Sequence, residues 1–245
     1  GHTVTDALEP AIVDPSTKWL FASAPAGPDA QQTVDLLNPS RTVAKVAVLD
    51  STSGGTARLR VSVLPGSVAR VALPTEPTTR ALGAVEVNAP RDTPVVAART
   101  TVVGTVIPAA NLAEPNPSVR ARRALFLVPR TPMGYTVTNG ADQAVRRWVV
   151  GGGEEDKSFS TELVVTNPNA RAATVEVHPA GSSSAWISGL LVRGNTTAVV
   201  DFADLHAATG RFALDISASA PVISTGTTYA SGSTGFTSPA AIPDD

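Results

Sequence analysis

Few residues in this chain have the type and spacing to do chemistry. The densest acidic run is "GGGEEDKS", residues 151–158, where Glu154, Glu155 and Asp156 are adjacent. Neighbouring carboxylates can meet a Ca²⁺ ion, which takes several oxygen ligands, or act as the acid–base pair of glycoside hydrolysis. Adjacent side chains on an extended segment point to opposite sides. The expectation is therefore a solvated hairpin loop, with cation binding left open. The basic counterpart is Arg120, Arg122, Arg123, Arg130, Arg146 and Arg147. A guanidinium presents a planar fork that suits phosphate and carboxylate. Two readings stand for this cluster: a solvated or salt-bridged surface between domains, pairing with the Glu154–Asp156 loop, or a contact for an anionic partner.

Trp186, beside "GSSS" at a loop edge, is the candidate for an exposed binding aromatic, whereas Trp19 and Trp148 are expected in cores with their N–H groups bonded. Sugar stacking on that second pair is the alternative. Of the three histidines, Gly1-His2 reads as a cloning remnant, His178 precedes Pro179, and His206 falls in the short helix expected at 202–210. Their spacing matches no His metal site. Neither a GxSxG elbow nor SxxK is present, and no Gly-rich phosphate loop precedes a helix. A Ser-His-Asp triad is not readable from sequence, since its members converge only in space. The absence of cysteine removes disulfides, thiolate metal sites and Cys nucleophiles together. No catalytic, cofactor-binding or metal-ligating residue is assigned. The candidate partner-binding residues are Arg120, Arg122, Arg123, Arg130 and Trp186.

The elements that must position these groups are strands. Val, Ala, Thr, Ser, Gly and Pro dominate, a composition of strands and turns. A net charge of -2 argues against general nucleic-acid affinity. Basic residues are almost all Arg, with Lys only at 18, 45 and 157, which fits a GC-rich bacterial genome. No run approaches the ~20 apolar residues of a membrane span. Reading Gly1-His2 as a cloning remnant places any signal or anchor segment upstream of this chain.

The chain repeats itself. With Trp19 set over Trp148, an offset of 129, Asn38-Pro39 falls on Asn167-Pro168, and Val46 and Val48 fall on Val175 and Val177. At 128, "LPGSVARV" (64–71) meets "VRGNTTAV" (192–199); at 127, "TPVVAARTT" (93–101) meets "APVISTGTT" (220–228). Strands are expected near 19–22, 32–37, 43–50, 57–64, 68–73, 83–88 and 94–103, and again in the copy. Val46 and Val48 share one face while Lys45 and Ala47 take the other, so one side is dry and one wet. Asn-Pro ends a strand, because Asn can bond the backbone two residues on and Pro has no N–H for the ladder. Gly66 and Gly194 are expected to supply positive φ at the other recurring turn. About seven strands in ~85 residues is the profile of an immunoglobulin-like sandwich. The expected fold is all-β, two tandem antiparallel immunoglobulin-like sandwiches: repeat one over 1–106, a linker over 107–119, repeat two over 120–245. "RALFLVP" (123–129) is a strand that fits either the start of the second domain or the space between the two.

The order Trp, strand, Asn-Pro, Ala-x-Val-x-Val, Pro-Gly-Ser, Pro-Val-Val-Ala resembles a family of actinobacterial exported envelope proteins, catalogued only as a domain of unknown function. The resemblance covers roughly 19–103 and 148–231, and the second copy departs from it at Arg193-Gly194-Asn195 and at Pro221-Val222-Ile223-Ser224. It implies tandem sandwiches outside the membrane and brings no catalytic residues. The functional expectation is a non-catalytic extracytoplasmic binding or scaffolding ectodomain, anchored or secreted. Its partner would be an envelope protein or an anionic cell-wall glycan, with no cofactor, and the membrane would be reached only through an anchor outside this chain. The alternatives are an accessory or catalytic module of an envelope glycan enzyme with an inter-domain site, and a purely structural stalk.

Overall fold

The computed structural model describes residues 14–22, 30–52, 55–73, 84–107, 128–205, 209–230, 236–237 and 241–243. Among the described residues the elements are antiparallel strands and one 3-10 turn, and the protein is all-β with sheets packed in layers. In the N-terminal half, β1 (Lys18–Phe21), β3 (Ala44–Thr52), β4 (Gly55–Val63) and β6 (Ala84–Asn88) form one layer in the order β1-β6-β3-β4. The facing layer has the order β5-β2-β7-β8, from β2 (Ala30–Leu37), β5 (Val68–Ala72), β7 (Val96–Ile107) and β8 (Val128–Asn139). Alternation decides which side chains fill the space between them: Val34 and Leu36 from one layer meet Val46, Val48, Val85 and Val87 from the other, all essentially buried.

The C-terminal half comprises β9 (Val145–Glu155), β10 (Phe159–Asn167), β11 (Ala173–Pro179), β12 (Ile187–Val192), β13 (Thr196–Asp201), β14 (Gly210–Ala230), β15 (Phe236–Thr237) and β16 (Ala241–Pro243). The long strand β14 serves both layers. Its first part pairs β9 and β11, and its last part pairs β10 and β15. The register breaks between Ser217 and Val222, next to Pro221, where an N–H is missing from the ladder. The 3-10 turn covers Phe202–Asp204, with the Asp201 carboxylate accepting from the Ala203 N–H. Asp201 thus caps as expected, but Gly210, at φ 71, opens β14.

The first seven strands differ from the immunoglobulin order. There, the third, sixth and seventh strands share a sheet and the first lies beside the second. Here β1 pairs β6, β4 pairs β3 and β7 crosses to pair β2, so the first, fourth and seventh strands lie in the opposite layer.

The segment 128–139, grouped by sequence with the second repeat, hydrogen-bonds along β7 from Ala98↔Asn139 to Ile107↔Val128. Residues 108–127 therefore join two strands of one sheet, and the chain reaches the second core through residues 140–144. That crossing lies roughly 30 Å along the hairpin from Ile107, at about 3.3 Å per residue. Leu20 exchanges backbone hydrogen bonds with Ala141, at 2.6 and 2.8 Å, and both Leu20 and Ala22 belong to the second core. β1 thus buries Trp19 and Phe21 in one core and Leu20 in the other, which Ala22, just after the strand, also joins.

Asn38 and Asn167 have no exposed surface. The Asn167 amide nitrogen donates to the carbonyls of Arg171 (2.8 Å) and Val192 (3.0 Å), and its oxygen accepts from the Asn169 N–H (3.0 Å). Asn38 does the same with Thr42, Val63 and Ser40. Nearby, Gly66 has φ 62, but the matching positive φ belongs to Asn195, at 55. Gly194 answers a different need: a Cβ there would lie 2.2 Å from the Ala170 carbonyl oxygen.

Removing the Asn167 side chain leaves the buried Val192 carbonyl and the part-buried Arg171 carbonyl without this donor, at about 1–3 kcal/mol for a buried group. Asn167→Ala is expected to lower the unfolding free energy by about 3 kcal/mol. Asn167→Asp, equal in size but facing carbonyl oxygens with a carboxylate, should cost at least as much. Urea denaturation reads both, and an unshifted midpoint for either would remove the bracket from this account.

Candidate functional site

The sequence "VVGGGEEDKSF" gives β9 three glycines where the strand meets β14. Between the pairs Val150↔Leu214 and Gly153↔Phe212, Gly151 and Gly152 on β9 oppose Ala213 alone. This is a β-bulge, and the extra residue requires the φ of 76 at Gly152. Gly153 lacks a Cβ for a packing reason, since an added Cβ would sit 2.2 Å from the Phe212 ring. The ring lies across the backbone of the neighbouring strand.

Hydroxyl groups hold the bulge from below. Thr161 and Thr228 are buried, with their oxygens 2.9 Å apart. Thr161 donates to the Glu154 carbonyl (2.8 Å) and accepts from the Glu154 N–H (2.9 Å), while Thr228 reaches the Gly152 carbonyl at 3.3 Å. Aromatic rings support it from the side. Trp186 meets Phe212 edge-on at 5.1 Å and Phe202 at 5.9 Å, and Phe202 lies 5.3 Å from Phe212. Phe202 is fully buried.

The result is a solvent-open groove of about 550 Å³ lined by Gly152, Gly153, Glu154, Arg211, Phe212 and Ala213. Glu154 and Arg211 are cross-strand partners, with Arg211 Nε 3.3 Å from Glu154 Oε1. The Arg211 side chain is 85% exposed and that of Glu154 is 21% exposed, so a ligand can reach the pair and the pair adds little to stability.

The acidic run divides into separate jobs. Glu155 accepts from the Thr161 N–H (2.9 Å), and Asp156 accepts from the Ser158 and Phe159 N–H groups (2.6 and 2.8 Å), closing the hairpin turn. Among the described residues no three His, Asp or Glu side chains are grouped to hold a metal ion. His178 stands 3.7 Å from Glu176, and His206 lies outside the described residues.

Trp186 is half-buried and packs edge-on against Phe212. Trp19 and Trp148 are buried, donating from Nε1 to the carbonyls of Val95 (2.7 Å) and Val222 (2.9 Å), which ends the stacking alternative for both. Arg130 is on β8, Arg146 and Arg147 are exposed on β9, and Arg120, Arg122 and Arg123 lie outside the described residues. The arginine that meets Glu154 is Arg211, which sequence reasoning passed over. Its signal was weak: finding it requires knowing that "GRF" (210–212) pairs with "GEE" (153–155).

At the Asn38 end of the N-terminal half, Leu37, Val43, Leu64 and Val68 are exposed, and the Ser40 and Ser67 hydroxyls beside them bond the Thr42 and Leu64 carbonyls.

No protein-family model matches the chain, and neither does any curated protein sequence.

If the Phe212 ring rests on Gly153, Gly153→Ala must push it outward. That overpacking should cost about 1–3 kcal/mol and alter the near-UV circular dichroism of the aromatic cluster. A variant with wild-type stability and spectrum would show that the ring rests elsewhere.

Proposed function

We propose that this protein is a non-catalytic binding and scaffolding ectodomain of a bacterial cell envelope, built by duplication of one sandwich unit, with an envelope protein or glycan as partner. The duplication is supported by register. Val34↔Val71 and Leu163↔Val200 match at an offset of 129, as do Asp50↔Val85 and Pro179↔Leu214. Beyond the 88–95 connection the offset is 127, with the Trp19–Val95 and Trp148–Val222 bonds on either side of the change. Thr101↔Thr136 and Thr228↔Thr237 extend the likeness to an eighth strand, where "GYT" (134–136) meets "GFT" (235–237). The unit's likeness to an immunoglobulin domain lies in its layers and strand number rather than its strand order. The envelope assignment rests on the motif resemblance and composition, since no helix among the described residues is long and apolar enough to cross a membrane.

One observation carries the non-catalytic reading. In the groove where polar groups converge, Glu154 has an arginine beside it, and its neighbouring carboxylates are held by backbone N–H groups. Glycoside hydrolysis needs two carboxyl groups facing one bond across ~5–9.5 Å, and Glu155 and Asp156 are spent on the hairpin. Such a groove grips a ligand without an acid–base pair to transform it.

The test uses isolated actinobacterial envelopes, which carry both glycans and proteins. Saturable retention is expected, well above that of an unrelated β-sandwich, with no release of reducing sugar, phosphate or acid. Retention at the control level would overturn the binding reading. Product that follows the protein through repurification and disappears in Glu154→Gln would overturn the non-catalytic one.

A further inference from the structure

Resting on the binding reading above, we propose that the outer face of β3 and β4, in the first half, docks a linear phosphodiester-linked polymer of the envelope. Lys45, Arg58 and Arg60 grip successive phosphates of its backbone.

Register brings the three cations together. Lys45 stands opposite Ser62, Ala47 opposite Arg60 and Leu49 opposite Arg58, and directly opposed residues share a face. The alternate residues Val46, Val48 and Val63 are buried in the core, which turns this set outward. Lys45, Arg58 and Arg60 are exposed, while Ala47 and Leu49 beside them are half-buried. Arg58 and Arg60 are two residues apart, about 7 Å along the strand. Lys45 is the diagonal neighbour of Arg60, at about 7–8 Å.

No carboxylate neutralises them. Among the described residues, the acid on the outward positions of this sheet is Glu86 on β6, already engaged by Lys18 at 3.6 Å and by the Asn88 amide at 2.8 Å. Lys45, Arg58 and Arg60 form no ion pair among the described residues. The chain as a whole is net negative, so this positive face is a local feature, and a bound polyanion relieves its repulsion. Guarding a sheet edge does not account for it. β4 is an edge strand, where charge blocks stray pairing, but Lys45 is on β3, inside the sheet. Nor does strand pairing need these cations. At the offset of 129, Thr174, Ile187 and Gly189 stand in their places, and Glu176 stands in that of Ala47.

The chemistry of the face selects the polymer. Phosphodiester oxygens accept, and these three side chains only donate. A guanidinium fork takes two phosphate oxygens, and an ammonium binds as a point charge. The face of a strand pair is flat, so it reads charge along a chain rather than a pendant group. That favours charge in the backbone over carboxylates carried on sugar rings. Nucleic acid also has a charged backbone, but proteins hold single strands by stacking bases on aromatic rings. No outward residue of β3 or β4 is aromatic. A bilayer surface calls for apolar side chains that reach into the headgroup layer, and Ala47 and Leu49 are shorter than the cations around them.

The probe is a fluorophore-labelled hexamer of poly(glycerol phosphate), titrated with the full chain and read by anisotropy at several salt concentrations. Saturable binding is expected, with a log–log salt slope of about −2, since three phosphate contacts contribute about 0.7 each. The triple variant Lys45→Gln, Arg58→Gln, Arg60→Gln should bind about tenfold more weakly or worse, with a flattened slope. Its melting temperature should stay that of the wild type, because all three side chains are exposed. Lys45→Gln alone should lessen the slope by about 0.7, which keeps the test open should the triple variant be unstable. Arg70→Gln, at an exposed cation of the opposite layer, should bind as the wild type does. Absence of binding at low salt overturns the proposal, as does a salt slope unchanged by Lys45→Gln. Tighter binding to phosphatidylglycerol vesicles, to a single-stranded oligonucleotide or to polygalacturonate assigns the face to another class of partner and overturns it too. Envelope retention that persists unchanged in the triple variant would leave the binding reading standing and remove this face alone.

Discussion

Two sheets that meet only through apolar side chains have no directional force to set their alignment, because burial of apolar surface is non-directional. With no cysteine, no disulfide can set it either. Buried amides set it here. Asn38 ends β2 in one layer and donates to the Val63 carbonyl at the end of β4 in the other; Asn167 joins β10 to β12 in the same way. Trp19 adds a second latch at that end, from β1 to the Val95 carbonyl just before β7, and Trp148 repeats it to Val222. Any slip between the layers would leave buried carbonyl and N–H groups unpaired, at about 1–3 kcal/mol each. The latches thus turn a non-specific core into one register.

Latching one end leaves the other end to vary. Away from Asn167, the C-terminal half gathers the 155–159 turn, the 179–187 loop and the Phe202–Asp204 turn, and there the bulge and the three aromatic rings occur. Polar groups are buried in both halves toward this end, as Gln32 and Thr101 in one and Thr161 and Thr228 in the other. In the second half the hydroxyl pair holds a glycine-rich strand in a shape that an ordinary ladder would not allow. A fold spreads over many functions, and the site has to be argued from its own residues. Here those residues stand where the two copies differ.

The legible part of the fold was the part written in period-two alternation and turn chemistry. All seven strands of the first repeat fall close to their expected places, and Asn38 bonds the Ser40 N–H two residues on, as an Asn before Pro should. What stayed hidden was non-local. The pairing of β7 with β8 is obscured in the sequence by the 20 residues between them, whose Pro/Asn/Ala-rich start reads as a linker. The change of layer by β1, β4 and β7 leaves no trace in alternation, since either layer offers the same dry face. Gly194 misled by identity: glycine stood where close approach to Ala170 forbids a side chain, and Asn195 took the strained φ. The run Trp19-Leu20-Phe21-Ala22 did carry a signal, for four apolar residues without alternation mark a strand buried on both faces.

That strand also bears on how the copies work together. Because Leu20 of β1 and the following Ala22 enter the second core and Leu20 pairs with Ala141, the halves share apolar surface as well as a short connection. Flexible tethering would call for a polar, extended link, and the residues at 140–144 pack partly against the core instead. Such a joint holds the groove at a set distance and angle from the first half. A scaffold needs that property, and so does a receptor that meets a polymer at more than one point. The joint alone does not separate the two. Ion pairs occur in both halves, as Arg70–Asp35 and Arg211–Glu154, but among the described residues the three packed rings of Trp186, Phe202 and Phe212 beside a glycine bulge occur in the second half alone, a difference for which a plain spacer has no use.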